Sequence, residues 1–428
     1  MIVIGGGFAG VTAARELTQG GAQVLLLEGK DRLGGRAWTS DLNGVPIELG
    51  GGYVHWSQPH LWAEVSRYNL AIVERPSYSS TNAMQKTRFL IDGVLQQDFT
   101  AEQTAAIKAA FKAFVAPAAQ VFPQPFDPFA REAYRDYDGL SSQDRIDQMA
   151  LTELQRATLK RTSAMQCNNA PREGGYIEAL RWYALANAHD ETYAASVSRF
   201  TLAGGTVQLL RAIAADSRAD IRLGNPVSGV ARTESGVSVT AAQGRFEARR
   251  CIVATGVNVW KDIAFTPGLS PHKAALTQEE LSGKGGKIYV SLRGRFADSR
   301  WSAIGMPILS VLPHVIGEES SVVVVFTNPE NPLPDITRES LQAEMARFDP
   351  GVAVIDFAYH DWVGDPLVKG TWGNFRPGQF SRYFADALQP EGRVHFASSD
   401  IARGWRGFFD GAIESGTRVA RNVLRALG

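Results

Sequence analysis

The sequence predicts an α/β fold, with α+β character over the whole chain, that begins with a nucleotide-binding unit. Three observations predict it. A glycine-rich turn lies between a strand and a helix within the first 28 residues, alternating strand patterns return after residue 220, and a strand followed by a helix closes the chain. Because strands from distant segments then share one sheet, we expect the first domain to be discontinuous in sequence.

The first unit is a strand, a helix and a second strand. Residues 1–4 are apolar and predict a short buried strand, Phe8–Gln19 predict a helix, and residues 22–28 predict another buried strand. The intervening glycine turn makes this a Rossmann-like unit. The long middle stretch predicts mostly helix, and a final helix is expected from about Gly411.

The glycine turn fits a dinucleotide diphosphate. Gly5 permits a tight turn, Gly7 lets the backbone approach the phosphates, and Gly10 lets the helix pack closely. Phe8 and Ala9 lie between them, at the helix N-terminus whose partial positive charge favours phosphate. Such a motif alone is also found in ordinary glycine-rich turns, so its strand and helix context carries the prediction.

An acidic residue and an arginine follow at positions that suit the same ligand. Glu28 ends the second strand 18 residues after Gly10, where a carboxylate accepts hydrogen bonds from a ribose and disfavours a 2′-phosphate. In DRLGGR, Gly35 precedes Arg36, whose guanidinium can bind two diphosphate oxygens. Up to this point both FAD and NAD remain open.

A third glycine cluster distinguishes FAD from NAD. The segment ELGGGYVH contains Gly51, Gly52 and Tyr53, where a glycine backbone could lie against a flat ring system. In this order and spacing the chain resembles the flavin-containing amine oxidases, which include monoamine, polyamine and L-amino-acid oxidases. The segments GGGYVHWSQPHLWAEV, KIYV and WRGFFDGAIESG are most similar to bacterial amine oxidases that act on nicotine and pseudooxynicotine.

The resemblance covers nearly the whole chain and implies two discontinuous domains. Residues 1–75, 199–282 and 368–428 would form a Rossmann-like FAD-binding domain of the amine oxidase type. Residues 76–198 and 283–367 would form a substrate-binding domain of mixed sheet and helix. The stretch from 76 to 198 is the most divergent, so substrate identity is the least determined property.

The resemblance also implies further contacts with FAD. Val227 would contact the adenine end through its backbone, and Thr255 would flank the diphosphate. Asp400, in FASSD, stands where the family usually has a glutamate. Thr371 stands where several animal monoamine oxidases have the cysteine that forms a thioether with the flavin, so the FAD is expected to be non-covalent.

The residues expected to act in catalysis are also implied by the resemblance. Lys287 matches the lysine that holds a water against flavin N5, with Lys284 as the nearby competitor. Trp372 and Phe408 match two aromatic residues that form a slot facing the flavin, although Phe409 could replace Phe408. Trp372 and Phe408 would both line the substrate pocket, Phe408 would contact FAD as well, and no metal is expected.

The implied reaction is oxidation of a carbon–nitrogen bond in a small, aromatic or alkaloid-like amine. Hydride passes to flavin N5, and water hydrolyses the iminium to an aldehyde or ketone plus an amine. Trp56 is expected to line the substrate pocket or its entrance. The alternatives are a flavin-dependent C–C desaturase, a non-catalytic FAD-fold binding protein and an NAD-dependent dehydrogenase.

Composition limits the partners. Lys plus Arg and Asp plus Glu number 44 each among 428 residues, which argues against nucleic acid and anionic membranes. Two distant cysteines indicate neither a disulfide framework nor a zinc site, and no apolar stretch is long enough to span a bilayer. We expect a cytoplasmic enzyme, or a periplasmic one if an export signal was removed. Oxygen or a redox protein such as a cytochrome would take the electrons, and a homodimer is one alternative for assembly.

Overall fold

The computed structural model describes residues 1–78, 87–91, 93–97, 99–298 and 300–427. Within these residues the chain forms short strands early, helices in the middle, and a large, mostly antiparallel sheet before the closing helix. This order agrees with the predicted mixture of α/β and α+β character.

The strands, in chain order, are β1 (Ile2–Ile4), β2 (Leu25–Leu27), β3 (Thr39–Leu42), β4 (Val45–Glu48), β5 (Ile72–Glu74), β6 (Thr87–Ile91), β7 (Val94–Gln97), β8 (Phe200–Leu202), β9 (Asp220–Arg222), β10 (Val227–Arg232), β11 (Val237–Ala241), β12 (Gly244–Ala248), β13 (Cys251–Val253), β14 (Ala264–Thr266), β15 (Lys287–Arg293), β16 (Arg300–Ile304), β17 (Ile308–Ile316), β18 (Ser320–Thr327), β19 (Val354–Tyr359) and β20 (Val394–Phe396).

The α-helices are α1 (Phe8–Gln19), α2 (Pro59–Arg67), α3 (Ala101–Val115), α4 (Ala118–Val121), α5 (Arg135–Asp138), α6 (Ser142–Asp147), α7 (Glu153–Cys167), α8 (Tyr176–Leu185), α9 (Asp190–Ser198), α10 (Thr206–Ala215), α11 (Pro271–Glu279), α12 (Arg338–Ala346), α13 (Ala385–Ala387) and α14 (Phe409–Arg425). Short 3₁₀ turns lie at Pro76–Tyr78, Glu132–Tyr134, Val257–Asp262 and Ser399–Ile401, and a π-helical turn lies at Phe380–Phe384.

The nucleotide-binding unit is built on a parallel sheet of strand order β20-β13-β1-β2-β9. Residues of β1 and β13 are almost fully buried, which is typical of parallel strands covered on both faces. Helices α1, α10 and α14 pack together beside this sheet. The parallel arrangement places the ends of β1, β2, β13 and β20 at one edge, where ligands bind in such sheets.

Some predicted boundaries were wrong by a few residues. The strand predicted over 22–28 covers only Leu25–Leu27, and the closing helix begins at Phe409 rather than Gly411. The backbone of Phe408 is extended and forms the N-cap, so the following residue already belongs to the helix. Sequence periodicity cannot locate such an end, because the cap has no capping side chain. The two-domain boundaries remain a prediction.

A seven-stranded sheet faces the nucleotide-binding unit, with the order β19-β15-β18-β17-β16-β6-β7. Along β15, Ile288 and Val290 point into a core that α12 closes, whereas Lys287 and Tyr289 point to the opposite face. On that opposite face, strand pairing aligns one row of side chains: Lys287, Phe326, Ser310, Ser302 and Phe89. This row faces the candidate site.

Candidate active site

One continuous cavity of about 1030 Å³ joins the edge of the parallel sheet to the seven-stranded sheet. Its volume is at the top of the range for ligand sites, roughly 300–1,000 Å³. Most of the predicted site residues line it: Gly5, Gly7, Phe8, Ala9, Glu28, Gly35, Arg36, Gly51, Gly52, Tyr53, Val227, Thr255, Lys287, Trp372 and Phe408. A cavity of this size has room for a dinucleotide and a small second ligand.

The glycine turn has the geometry of a diphosphate cradle. Gly5 has a φ of +104°, which side chains rarely allow. A Cβ on Gly10 would lie 1.9 Å from the carbonyl oxygen of Gly5, so this residue allows close packing and does not line the cavity. The N-cap Gly7 carries no capping side chain, which leaves the first N–H groups of α1 for a ligand.

Glu28 lies at the end of β2, held by backbone groups. Its Oε2 accepts a hydrogen bond from the N–H of Gly6 at 2.5 Å, and its Oε1 accepts one from the N–H of Lys30 at 2.8 Å. Burial raises the pKa of this carboxyl above its usual value, and the two N–H groups oppose that effect. The carboxylate therefore has a defined position on the cavity wall, where it can accept a ribose hydroxyl.

Arg36 reaches the cavity with the help of Asp400. Its Nη2 lies 2.7 Å from Oδ1 of Asp400, and the guanidinium also donates to Oγ of Ser399 at 2.9 Å and to the carbonyl oxygen of Thr371 at 2.7 Å. Asp400 is buried, accepts the N–H of Val257 at 3.0 Å, and is absent from the cavity lining. Asp400 is therefore paired with Arg36 behind the cavity lining, and its contact with FAD stays a prediction.

The residues at the diphosphate end fit a dinucleotide. Among the polar side-chain atoms that the structure describes, Oγ1 of Thr255 is buried on the cavity wall without a hydrogen-bond partner. It lies just after β13, at the same edge as the glycine turn of β1. An uncapped helix terminus, an oriented guanidinium and an unpaired hydroxyl are the donors that a diphosphate requires.

The glycines at 50–52 allow close packing of the backbone, in addition to the predicted contact with a flat ring system. A Cβ on Gly50 would lie 1.9 Å from the carbonyl oxygen of Arg36, and one on Gly51 would lie 2.6 Å from the ring of Phe409. The missing side chains thus let this segment pass close to Arg36 and the start of α14. All three glycines still line the cavity, so their backbone remains accessible to a ligand.

Lys287, and not Lys284, faces the cavity. The Nζ of Lys287 donates to the carbonyl oxygen of Gly50 and lies 5.3 Å from the ring centre of Tyr289. Burial lowers its pKa to about 8, while the charge of Glu48 acts in the opposite direction. Lys284 instead pairs with Glu280 at 2.6 Å outside the lining. The structure thus decides between the two lysines.

Trp372 and Phe408 lie on adjacent segments of the cavity wall. The indole N–H of Trp372 donates to the carbonyl oxygen of Gln166 at 2.8 Å. Phe408 packs edge-on against Trp182, with ring centres 4.8 Å apart, and against Trp405 at 5.1 Å. A Cβ on Gly407 would lie 3.4 Å from Cβ of Trp372, which shows how closely the two segments approach.

Phe409 occupies a different place from Phe408. Its ring centre lies 4.8 Å from that of Phe8, at the start of α1, and its ring covers Gly51. Phe409 therefore packs between the glycine turn and the glycine run. Of the two neighbouring phenylalanines, Phe408 is the one that packs against Trp182 and Trp405.

The structure places Trp56 at the protein surface, so of its two expected positions only the one at the pocket entrance stays a prediction. Its side chain is 50% exposed and is not part of the cavity lining. It stacks on His55, with ring centres 4.1 Å apart, and lies 5.1 Å from Phe200. Phe200 belongs to β8, which is distant in sequence, so short-range sequence patterns do not reveal that Trp56 packs near it.

Sequence reasoning missed three arginines on the cavity wall, of which Arg75 donates to the carbonyl oxygens of Ser198 and Pro313. Arg161 of α7 and Arg300 of β16 both line the cavity near the seven-stranded sheet. Arg161 and Arg300 lie in stretches without a recognisable motif, and only the folded chain brings them together. No group of three or more His, Cys, Asp or Glu residues could hold a metal within the described ranges.

The parallel sheet, its diphosphate cradle and the adjoining cavity define a dinucleotide-dependent enzyme of the flavoprotein type. Residues 8–424 match the family described as flavin containing amine oxidoreductase. The chain is 37% identical to a pseudooxynicotine dehydrogenase of Pseudomonas sp, over 100% of this chain and 86% of that protein. It is 34% identical to a nicotine dehydrogenase of Pseudomonas putida, over 100% and 88%. The chain therefore belongs to the flavin-containing amine oxidoreductase family.

The fold is that of solved amine oxidases. A putrescine oxidase variant with redesigned cofactor binding is 21% identical and has a TM-score of 0.86, over 99% of this chain and 98% of that chain. The protein is an FAD-dependent oxidoreductase that acts on amines, and neither the desaturase nor the non-catalytic alternative is favoured. None of the described helices has the length and apolar character to cross a bilayer.

Proposed function

We propose that this enzyme oxidises a small amine with an aromatic or alkaloid-like body, held between Trp372 and Phe408 beside Lys287. The observation that carries the proposal is that one cavity joins the FAD cradle to these three side chains. The names of the two relatives, pseudooxynicotine dehydrogenase and nicotine dehydrogenase, support a pyridine-like amine. Bound FAD supplies the hydride acceptor for such a reaction.

The protein groups would orient the amine and keep it unprotonated. The faces of Trp372 and Phe408 offer apolar contact and no carboxylate, so an ammonium loses hydration there without gaining a partner. The N–H groups at the start of α14 are not capped by Asp410, whose Oδ1 instead accepts from the N–H groups of His60 and Leu61 in α2. This uncapped terminus would stabilise negative charge on the flavin ring of bound FAD.

Lys287 would hold a water at the reacting end of the cavity. Its lowered pKa, caused mainly by burial, lets it exchange a proton more readily than a surface lysine. Lys287→Met should therefore slow flavin reoxidation and leave amine binding within about two-fold. Lys284→Met is the matched control, because that lysine lies outside the cavity lining and is paired with Glu280. Equal reoxidation rates in both variants would contradict this role.

The FAD would be held without a covalent bond. Thr371 lines the cavity, and its Oγ1 accepts a hydrogen bond from Asn168 at 2.8 Å. A threonine cannot form a thioether, and both cysteines, Cys167 and Cys251, are buried away from the cavity lining. Precipitation of the purified protein by acid should leave all of the flavin in the supernatant. Flavin that stays with the pellet after washing would refute non-covalent binding.

The substrate class can be tested with the intact holoenzyme. Under anaerobic conditions, nicotine, pseudooxynicotine or related aryl-alkyl amines should bleach the visible flavin band, whereas putrescine should bleach it far more slowly. Failure of every aromatic amine, with rapid bleaching by putrescine, would overturn the proposed class. The reduced enzyme can then be mixed with oxygen or with cytochrome c, since either oxygen or a redox protein could take the electrons.

A further inference from the structure

Two arginines of the cavity lining, Arg161 and Arg300, lie at strands β16 and β17 of the seven-stranded sheet. Arg300 begins β16, and Arg161 projects from α7 onto the neighbouring strand β17. The Nε and Nη2 atoms of Arg161 donate to the carbonyl oxygen of Leu309 and to Oγ of Ser310, both at 3.3 Å. Both arginines therefore meet the cavity-facing side of the seven-stranded sheet.

Neither guanidinium has a carboxylate partner within the described parts of the chain. Arg161 has only the two long hydrogen bonds to β17, and no side-chain hydrogen bond or ion pair is formed by Arg300 there. Arg88, on the adjacent strand β6, shows the usual arrangement, with Asp298 at 2.7 Å and Asp349 at 3.1 Å. The contrast indicates that the two cavity arginines are available to a ligand.

A buried serine completes this surface. Oγ of Ser302 is buried on the cavity wall and has no hydrogen-bond partner among the residues that the structure describes. Ser302 lies two residues from Arg300, so both side chains point to the same face of β16. Ser302 also pairs with Ser310 across the sheet, beside the head of Arg161. Within the described residues, the hydroxyl of Ser302 lacks a partner and the two guanidinium groups lack a carboxylate, so donors exceed acceptors here.

The electrostatics also favour an anion here. Burial, followed by the charge of Arg300, lowers the pKa of Arg161 to about 9. The side chain of Arg300 is exposed, but desolvation by the surrounding residues, followed by the charge of Arg75 on the same cavity wall, also lowers its pKa. Four carboxylates also line the cavity: Glu28, Asp190, Glu191 and Asp262. Among the described residues none of them forms an ion pair with Arg161 or Arg300, and Asp190 accepts the hydroxyl of Tyr183 at 2.5 Å. A ligand anion would relieve the repulsion between like charges.

Strand spacing sets the distance from this surface to the reacting end. From Lys287 the aligned row crosses to Phe326, then Ser310, then Ser302. Adjacent strands lie about 4.8 Å apart, so Ser310 and Ser302 are roughly 10 and 14 Å from the strand position of Lys287. A ligand that reaches both ends therefore needs its two polar groups separated by a comparable length.

We propose that Arg161, Arg300 and Ser302 bind a carboxylate at the end of the substrate remote from its amine. This inference rests on the proposed function and narrows the substrate class to an amine that carries an acid roughly 10–14 Å from the reacting nitrogen. The same two cations would repel a second ammonium group, so diamines are disfavoured. An amine with a neutral end lacks the group that these donors fit.

The first experiment measures binding without amine chemistry. ω-Phenylalkanoates of increasing chain length, each paired with its primary amide, are titrated into the oxidised holoenzyme, and the shift of the flavin absorbance band gives Kd. The carboxylate should bind about 10- to 100-fold more tightly than its amide at the best length, because hydrogen bonds to charged groups are the stronger ones. Equal Kd values at every length would overturn the proposal.

The variants identify the residues responsible. Arg300→Gln should remove the preference for the carboxylate and leave amide binding within about two-fold. Because no hydrogen bond or ion pair of the Arg300 side chain is found among the described residues and the residue is exposed, its loss should disturb folding little. Arg161→Gln should act in the same direction. Arg338→Gln, on the exposed start of α12, is the matched control and should keep the full preference. A carboxylate preference that survives both cavity variants would refute the assignment.

The second experiment separates this inference from the proposed function. ω-Amino carboxylates and their amides are compared as substrates by anaerobic flavin bleaching, where the carboxylates should show the lower KM. If no amine bleaches the flavin while phenylalkanoates still bind through the arginines, the proposed function fails and the anion site stands. If amines are oxidised with equal KM for acids and amides, the function stands and the anion site is refuted.

Discussion

Replacing Asp400 with asparagine should weaken FAD binding through Arg36. The carboxylate lies 2.7 Å from the guanidinium and is 3% exposed, whereas the guanidinium is 27% exposed and lines the cavity. Asparagine keeps the shape and one oxygen that can accept the N–H of Val257, but it removes the charge. Arg36 then loses a charge-assisted bond and becomes less well oriented toward the diphosphate.

The magnitude follows from the strengths of these bonds. Hydrogen bonds to charged groups contribute about 1.5–3 kcal/mol and neutral ones about 0.5–1.5 kcal/mol. Exchanging one kind for the other therefore costs about 1–1.5 kcal/mol, which corresponds to a Kd for FAD raised about 10-fold. Removal of FAD followed by titration with free FAD, observed by quenching of flavin fluorescence, measures this constant directly.

A double-mutant cycle tests whether Asp400 acts through Arg36. In an Arg36→Gln background, Asp400→Asn should change the Kd for FAD by less than about two-fold, because the group that it positions has gone. Asp356→Asn, on the exposed face of β19, is the control and should have no effect in either background. If the Asp400→Asn effect has the same size with and without Arg36, the carboxylate contacts the ligand directly and the reasoning is refuted.

Three further predictions concern stability and the cavity wall. Burial lowers the pKa of Lys287 from an ordinary 10.5 to about 8, so between these pH values the unfolded chain binds more protons than the folded chain. The free energy of unfolding of the wild type should therefore rise with pH relative to that of Lys287→Met. If urea unfolding gives parallel plots of this free energy against pH for the two proteins, the prediction is wrong. Glu178→Gln leaves the fully buried Arg406 without its counter-charge and should destabilise the holoenzyme by about 3–5 kcal/mol in thermal unfolding. Glu339→Gln, at an exposed position, is the control and should change stability little. A loss below about 1 kcal/mol for Glu178→Gln would be inconsistent with the pairing. Trp56→Ala should leave kcat and KM for an oxidised amine within about two-fold, because this side chain lies outside the cavity, and a tenfold rise in KM would place it back in the substrate path.

The Glu178–Arg406 pair matters because it holds the segment that carries Phe408. The guanidinium of Arg406 lies 3.9 Å from the ring centre of Phe375, and the neighbouring Arg181 donates to the carbonyl oxygens of Arg403 and Gly404. Two buried cations thus fix the loop just before α14. We expect Glu178→Gln to raise KM for the amine as well, since Phe408 follows this loop.

Features set by consecutive residues were predictable. The strand, glycine turn and helix of residues 2–19 follow from local backbone preferences and apolar periodicity, and the structure places Gly5, Gly7 and Glu28 on the cavity as expected. Lys287 was predicted together with a competitor. Strand alternation predicts that the side chains of Lys287 and Ile288 point to opposite faces of the sheet. Only the folded structure shows that the face of Lys287 lines the cavity, whereas Lys284 lies outside the lining.

Features that depend on distant residues were not predictable. Asp400 was expected to contact FAD, and Trp56 to line the substrate pocket or its entrance. In the structure Asp400 pairs with Arg36, 364 residues earlier, and Trp56 packs near the ring of Phe200, so neither lines the cavity. Arg161 and Arg300 are 139 residues apart and carry no local pattern.

The sequence by itself determined the nucleotide-binding turn, the family and the chemistry, because these depend on short motifs whose geometry is local. The tertiary structure alone decided which charged side chains are paired and which face the cavity, because pairing depends on how the sheets pack together. Arg161 and Arg300, near the seven-stranded sheet, are the clearest example. The proposed anion site depends on their having no carboxylate partner among the described residues, and only the folded structure shows this.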